Sequence, residues 1–204
     1  MTQKKQFVRR HSTESGFTLI EVLIAAVIMT VGLLALMATF VATIHATEFA
    51  QENLIARHKA LAIMEGIYTA RNSQQEPFAA INNIANGGIF KSGAQPMLCA
   101  GTDGIIGTAD DAACTAPDTG VACPGGVECL VLPGPDGILG TPDDVTESLS
   151  NFTRTITFYP VFLPSGAVNT NLIGVTVTVS WIKPGQQTGP PYNYTVNGLV
   201  SSYH

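Results

Sequence analysis

The sequence predicts an α+β protein in which one long N-terminal helix, membrane-spanning in its first half and amphipathic in its second, packs on an antiparallel sheet of three to four strands. Three observations carry this expectation. No proline occurs before Pro77, so nothing breaks a helix between Phe17 and about Arg71. From Phe17 to Ile44 the only charged side chain is Glu21. Late in the chain, three segments alternate apolar and polar residues with the period of two that marks strands with one buried face.

The helix divides by composition. Val22 to Ile44 supplies the ~20 apolar residues needed to cross a bilayer. Gly32 is tolerable there, because glycine is common in membrane spans. A helix of about 55 residues is roughly 80 Å long, so half of it must leave the membrane. In that half, Leu54, Leu61, Met64 and Tyr68 recur at helical spacing with Glu52, Arg57, Lys59 and Glu65 between them, a stripe expected to face the sheet. His45 and His58 have no acid or cysteine at ligand spacing and read as structural or surface residues.

Before the helix comes a basic leader with Lys4, Lys5, Arg9 and Arg10, ending at Gly16. A secretory signal peptide fits poorly, since its apolar region spans only ~7–15 residues and no small-residue cleavage site ends the run here. A plain signal anchor gives the right topology, with the basic end cytoplasmic. It leaves Gly16 and Glu21 unexplained. The segment Gly16-Phe17-Thr18-Leu19-Ile20-Glu21-Val22-Leu23-Ile24-Ala25 resembles the class III signal of type IV pilins and type II secretion pseudopilins. The resemblance implies cleavage after Gly16 by a membrane-embedded prepilin peptidase and N-methylation of the new N-terminus, Phe17. It also implies a pilin-like fold, other pilins and an inner-membrane assembly platform as partners, and Glu21 as the family's acidic residue. Residence would be the bacterial inner membrane, single pass with the N-terminus cytoplasmic, surrounded by lipid before assembly and afterwards part of a periplasmic or cell-surface filament.

The physics of Glu21 agrees with a role in assembly. It lies one turn into the processed helix, where the positive end of the helix dipole favours its charge by only ~0.3–1 kcal/mol. An acid held in lipid costs about 2.5–3.5 kcal/mol at mid-bilayer and less near the interface. A positive partner is missing, and the terminal amine of a neighbouring subunit, still charged after methylation, fits.

These features order the chain as a leader (1–16), a transmembrane and filament-core helix (17–47), its amphipathic continuation (48–72), a loop region (73–150) and a β-meander (151–204). The 204 residues allow one membrane element and one modest globular domain. Charged residues make up 12%, about half the usual proportion. Without the leader, six basic residues face fourteen acidic ones, a net charge of −8. No basic patch exists to neutralise phosphates, which argues against a nucleic-acid partner.

Cys99, Cys114, Cys123 and Cys129 lie in the outward-facing part, where an even count points to two disulfides. Three connectivities are open. Cys99–Cys114 with Cys123–Cys129 is favoured because neighbours close the smaller loops. Zinc fits poorly, as the spacings are not C-x2-C and no histidine lies nearby.

The expected strands centre on Phe152–Phe158, Ile173–Trp181 and Tyr192–Asn197, with Val127–Leu132 as a shorter fourth. Their connections, Leu163–Asn171 and Lys183–Pro191, hold the Pro, Gly and Asn of hairpin loops. The meander should turn its apolar face to the helix and its Thr/Asn face to water.

Between helix and meander the chain repeats itself. Gly101-Thr-Asp-Gly-Ile-Ile-Gly-Thr-Ala-Asp-Asp111 returns as Gly134-Pro-Asp-Gly-Ile-Leu-Gly-Thr-Pro-Asp-Asp144. No cofactor is required by anything in the sequence. Ca2+ is nevertheless a candidate ligand for Asp103, Asp110, Asp111, Asp136, Asp143 and Asp144, because carboxylates beside glycines suit a hard cation. Against this, Asp-Gly is a turn dipeptide and Thr-x-Asp-Asp a helix-capping pattern, and the order is not that of an EF-hand. Both alternatives stay open at the sequence level.

No Ser–His–Asp set, histidine cluster or phosphate-cradling loop appears, and Arg71, Lys91, Arg154 and Lys183 are too scattered to suggest an anion site. The chain reads as a peptidase substrate, not an enzyme. Within the resembled family, Ala60–Ile67 loosely resembles the PilV and GspI type, and the helix-kinking proline frequent in major pilins is replaced by Ala38. A minor pilin is therefore expected, with a type II secretion pseudopilin, or a calcium-dependent adhesin head displayed on the filament, as alternatives.

Overall fold

The computed structural model describes residues 16–116, 120–183 and 189–203. The leader residues 1–15, the tip of the second hairpin connection (184–188) and His204 lie outside the described residues. Two compact units divide between Glu48 and Phe49. Helix α1, Leu19–Asn72, begins in the first and ends in the second.

In the first unit α1 exposes every residue through Glu48, large apolar side chains such as Leu23, Leu34 and Phe40 included. It is the one helix among the described residues long and apolar enough to cross a membrane. Its threonines are compatible with lipid because each hydroxyl is satisfied within the helix. Thr30 donates to Val27 O (2.9 Å), Thr39 to Leu36 O (2.7 Å), Thr43 to Thr39 O (2.8 Å) and Thr47 to Thr43 O (2.9 Å). At the polar end of the run His45, contrary to the sequence expectation, does have an acid at helical spacing, lying 3.5 Å from Glu48 one turn on, and with both exposed it remains a surface residue.

The second unit is a four-stranded antiparallel sheet in the order β1-β4-β5-β6, with β1 Gln95–Pro96, β4 Phe152–Phe162, β5 Val168–Trp181 and β6 Tyr192–Ser201. A separate two-stranded sheet pairs β2, Cys129–Leu132, with β3, Val145–Ser148. The meander expected from alternation is present as β4-β5-β6. Its inward positions, Phe152, Ile156, Phe158, Val175, Val177, Val179 and Trp181, form the core with the second half of α1. On the outward face Thr176 donates to Asn197 (2.7 Å), and Thr178 and Thr195 lie 3.0 Å apart, cross-strand pairs that suit the wet side.

Three expectations need correction. The fourth strand of the main sheet is β1, while the segment around Val127–Leu132 supplies β2 of the second sheet; a two-residue strand leaves no periodicity to read. The first hairpin connection is only Leu163–Ala167, because β5 begins at Val168 and a register shift between Pro160 and Phe162 absorbs the irregularity. Of the expected stripe Leu54–Leu61–Met64–Tyr68, Met64 is buried and Tyr68 packs against the core, but the two leucines do not face inward. Leu54 and Leu61 are 65% and 45% exposed, whereas Ala56, Ala60, Ile63, Met64, Ile67 and Ala70 are buried. Small residues let the helix backbone approach the sheet, so the alanines, not the leucines, face inward.

Polar ties fasten the second half of α1 to the sheet and loops. Trp181 Nε1 donates to Glu52 (3.1 Å), Lys59 pairs with Glu128, and Arg71 donates to the Ser202 carbonyl beside the Phe78 ring. Asn83 covers part of the outer edge of β4 with its amide, donating to Ile156 O (2.9 Å) and accepting from Phe158 N (3.1 Å). Disulfides Cys99–Cys114 and Cys123–Cys129, with Ala116 and Val131, make a small second core under the loops.

Candidate functional site: the N-terminal signal and the duplicated loops

Thr18 caps α1. The Glu21 amide donates to Thr18 O (3.1 Å) and Thr18 Oγ1 (3.3 Å), which makes Thr18-x-x-Glu21 the opening of a capping box with the acid in the first turn. The sequence reading passed over Thr18; the Thr-x-x-Glu spacing was its available signal. Gly16, Phe17 and Glu21 are all exposed, Phe17 by 82%. The Gly16–Phe17 boundary is thus exposed, and the acid stands one turn beyond it on an otherwise apolar helix.

The two acidic loops share one hydrogen-bond pattern. Asp103 accepts from the Ile105 amide and Asp136 from the Ile138 amide, each at 2.8 Å. Asp110 accepts from the Asp103 amide (3.1 Å) and the Thr108 hydroxyl (2.7 Å); Asp143 accepts from the Asp136 amide (3.4 Å) and the Thr141 hydroxyl (2.6 Å). The last carboxylate closes the turn, Asp111 on the Gly107 amide (3.0 Å) and Asp144 on the Gly140 amide (2.7 Å). Gly107 and Gly140 hold φ of +96° and +88°, which other residues rarely adopt. At Gly101 and Gly134 a Cβ would run into the backbone of Asp110 and Asp143, so the repeated glycines follow from the tight fold of the loop.

This pattern has an electrostatic signature. The Thr108 hydroxyl, followed by the Asp103 amide, holds the Asp110 carboxyl well below the usual carboxylate range, and the Thr141 hydroxyl lowers that of Asp143. The six carboxylates are therefore acceptors within their own loops. Among the described residues no three His, Cys, Asp or Glu side chains gather as a metal-binding group. Calcium binding keeps only the chemistry of its oxygen donors in its favour.

Arg154 is the residue that sequence reading undervalued. It occupies an inward position of β4, between Phe152 and Ile156, and is 1% exposed. Its guanidinium pairs with Asp111 and donates to Leu98 O (2.7 Å). Burial pushes its pKa down and the Asp111 carboxylate pushes it back up. The cation anchors the first loop to the sheet. Its signal was the register of β4: a charge at a core position needs a buried partner.

Comparison with known proteins bears on the N-terminus alone. The family model described as the prokaryotic N-terminal methylation motif matches residues 11–37. No curated protein matches the chain, and no solved structure does. The match spans the Gly16–Phe17 boundary and Glu21 and points to a structural rather than an enzymatic protein: the chain carries the class III signal of type IV pilins and pseudopilins.

Proposed function

We propose that the protein is a minor pilin, a structural subunit of a type IV pilus. Prepilin peptidase cuts it after Gly16 and methylates Phe17. The subunit waits in the inner membrane with its N-terminus cytoplasmic, and an assembly platform delivers it to the filament. On entry, Glu21 pairs with the terminal amine of a neighbouring pilin, and the apolar helix exchanges lipid contacts for those of other subunits. The observation that carries this reading is the methylation-motif match across residues 11–37, which joins the cleavage boundary, the acid and the apolar run in one segment. The exposure of every described side chain through Glu48 supports it, since a helix of this composition needs an apolar environment from outside itself.

A type II secretion pseudopilin shares the same N-terminal chemistry, and the two are separated by whether the protein is found in surface pili or stays in the envelope. Mass spectrometry of protein isolated from its native membrane tests the processing step. The expected species begins at Phe17 and carries one additional methyl group (+14 Da, about the mass of CH2) on that residue. A chain that retains residues 1–16 contradicts the proposal.

A further inference from the structure

The two copies of the acidic loop fold alike but differ in what lies against them. In the first, Ile105 is 3% exposed and Ile106 packs against the core. Gly107 presses so closely on Ile156 and Phe90 that a Cβ there would clash with Ile156, and its carbonyl accepts from Lys91 N at 2.8 Å. Asp111 pairs with the buried Arg154. The first loop is a plug: two apolar residues in a pocket, with a carboxylate on a guanidinium beside it.

In the second copy every one of these contacts is missing among the described residues. Ile138 and Leu139 are 60% and 55% exposed, and nothing lies within 4 Å of a Cβ built at Gly140. Asp144 holds Gly140 N through one oxygen, while its other oxygen, Oδ1, is shielded from solvent and has no hydrogen-bond partner. Val145 and Leu132, exposed on the adjoining hairpin, extend the apolar surface. Ile138, Leu139, Val145 and Leu132 are thus exposed within one hairpin and its loop, and exposed apolar side chains of this kind mark a contact surface.

We propose that the second loop, Gly134–Asp144, docks on another protein, where Ile138 and Leu139 enter an apolar pocket and Asp144 pairs with an arginine at its rim. The first loop shows the chemistry such a receptor must have, because the same internal network presents the same side chains there to a pocket and a guanidinium within this chain. Arginine suits the role because its charged N–H groups bond strongly to a carboxylate, as Arg154 does to Asp111 in the first loop. An anionic lipid surface fits poorly against a tip that carries Asp136, Asp143 and Asp144. Arg154 of a second copy is already engaged by its own Asp111, so that residue does not supply the guanidinium.

The test uses the full chain in the cells that produce it, with the photoreactive residue benzoylphenylalanine at Leu139 or, as a control, at the exposed Leu163. The expected result is one discrete protein adduct from position 139 and none from 163, with the cross-linked peptide adjoining an arginine. Asp144→Asn should lower the yield about tenfold or more. Pairing Asp144→Arg with a change of that arginine to aspartate should restore it. The urea unfolding midpoint of the Asp144→Asn protein, read by Trp181 fluorescence, should match the wild type, which separates lost docking from lost folding. Four results overturn the proposal: no adduct above the control, an adduct with lipid or with a second copy of this chain, a yield indifferent to Asp144, or an EDTA-dependent drop in melting temperature that Asp144→Asn abolishes. The last would make the loop a calcium site.

Discussion

The two units of this protein treat apolar side chains in opposite ways. Through Glu48, α1 leaves all of them in the open; from Phe49 onward the same helix buries Ile63, Met64 and Ile67 among Phe152, Val177 and Trp181. The difference shows where each unit finds its partner. The head closes on itself, so its stability is a property of one chain. The N-terminal segment buries none of its described apolar side chains within this chain, and its polar groups suit an apolar environment. Threonines satisfy themselves on their own helix, and Glu21, the single acid between Phe17 and Ile44, sits in the first turn. Changes in the head should therefore move its unfolding and leave assembly chemistry alone, and changes near Glu21 should do the reverse.

The largest effect expected in the head is at its buried ion pair. Arg154→Met leaves Asp111 shielded without its cation and should lower stability by about 3–5 kcal/mol. Urea unfolding of the full chain in detergent, followed by Trp181 fluorescence, reads this in the head alone, since Trp181 is the only tryptophan. Adding Asp111→Asn to Arg154→Met should recover part of the loss. A single variant as stable as the wild type would remove Arg154 as the anchor of the first loop.

A smaller effect sharpens the account of the helix face. Ala60→Leu forces methylenes into the contact between helix and sheet and should cost about 1–3 kcal/mol. Its neighbour changed the other way, Leu61→Ala, should stay within about 0.5 kcal/mol because Leu61 faces outward. Equal effects from the two would mean that the helix is rotated from the position described.

The smallest effect comes with acid. Asp110 and Asp143 titrate below the ordinary range in the folded chain, so the unfolded chain takes up protons first as pH falls. The stability they contribute is present above an unfolded aspartate value of about 3.9 and is lost as pH drops towards the folded value. Melting temperature should change little between about pH 7 and 5 on their account, then fall below about pH 4, with a shallower fall in Asp110→Asn. An identical acid slope in that variant would show that the Thr108–Asp110 bond does not tie loop closure to folding.

What was legible in the sequence was local. A peptidase signal is read as a linear stretch and a membrane span is set by length and composition, so Gly16, Phe17, Glu21 and the run to Ile44 stood out unaided. Alternation made β4, β5 and β6 visible for the same reason. The missing parts depend on partners far away in the chain. β1 and β3 are two and four residues long and exist because β4 and β2 lie beside them. The alanine stripe of α1 was hidden behind larger leucines, as the pattern alone does not say how closely a helix approaches a sheet. Arg154 and Asp111 are 43 positions apart and become a pair only through the register of β4. The duplicated loop was conspicuous as a repeat, yet nothing in its two sequences told that one copy would be buried and the other bare.

The account rests most heavily on Glu21, and one measurement addresses it directly. Glu21→Ala and Glu21→Gln, each expressed in place of the wild-type chain, are followed by mass spectrometry of the membrane fraction and by the amount of subunit in sheared filaments. The expected result is normal cleavage after Gly16 and methylation of Phe17, with the variant retained in the membrane and missing from the fibre. Entry of either variant into filaments at the wild-type level would contradict the claim that this acid receives the terminal amine of a neighbour.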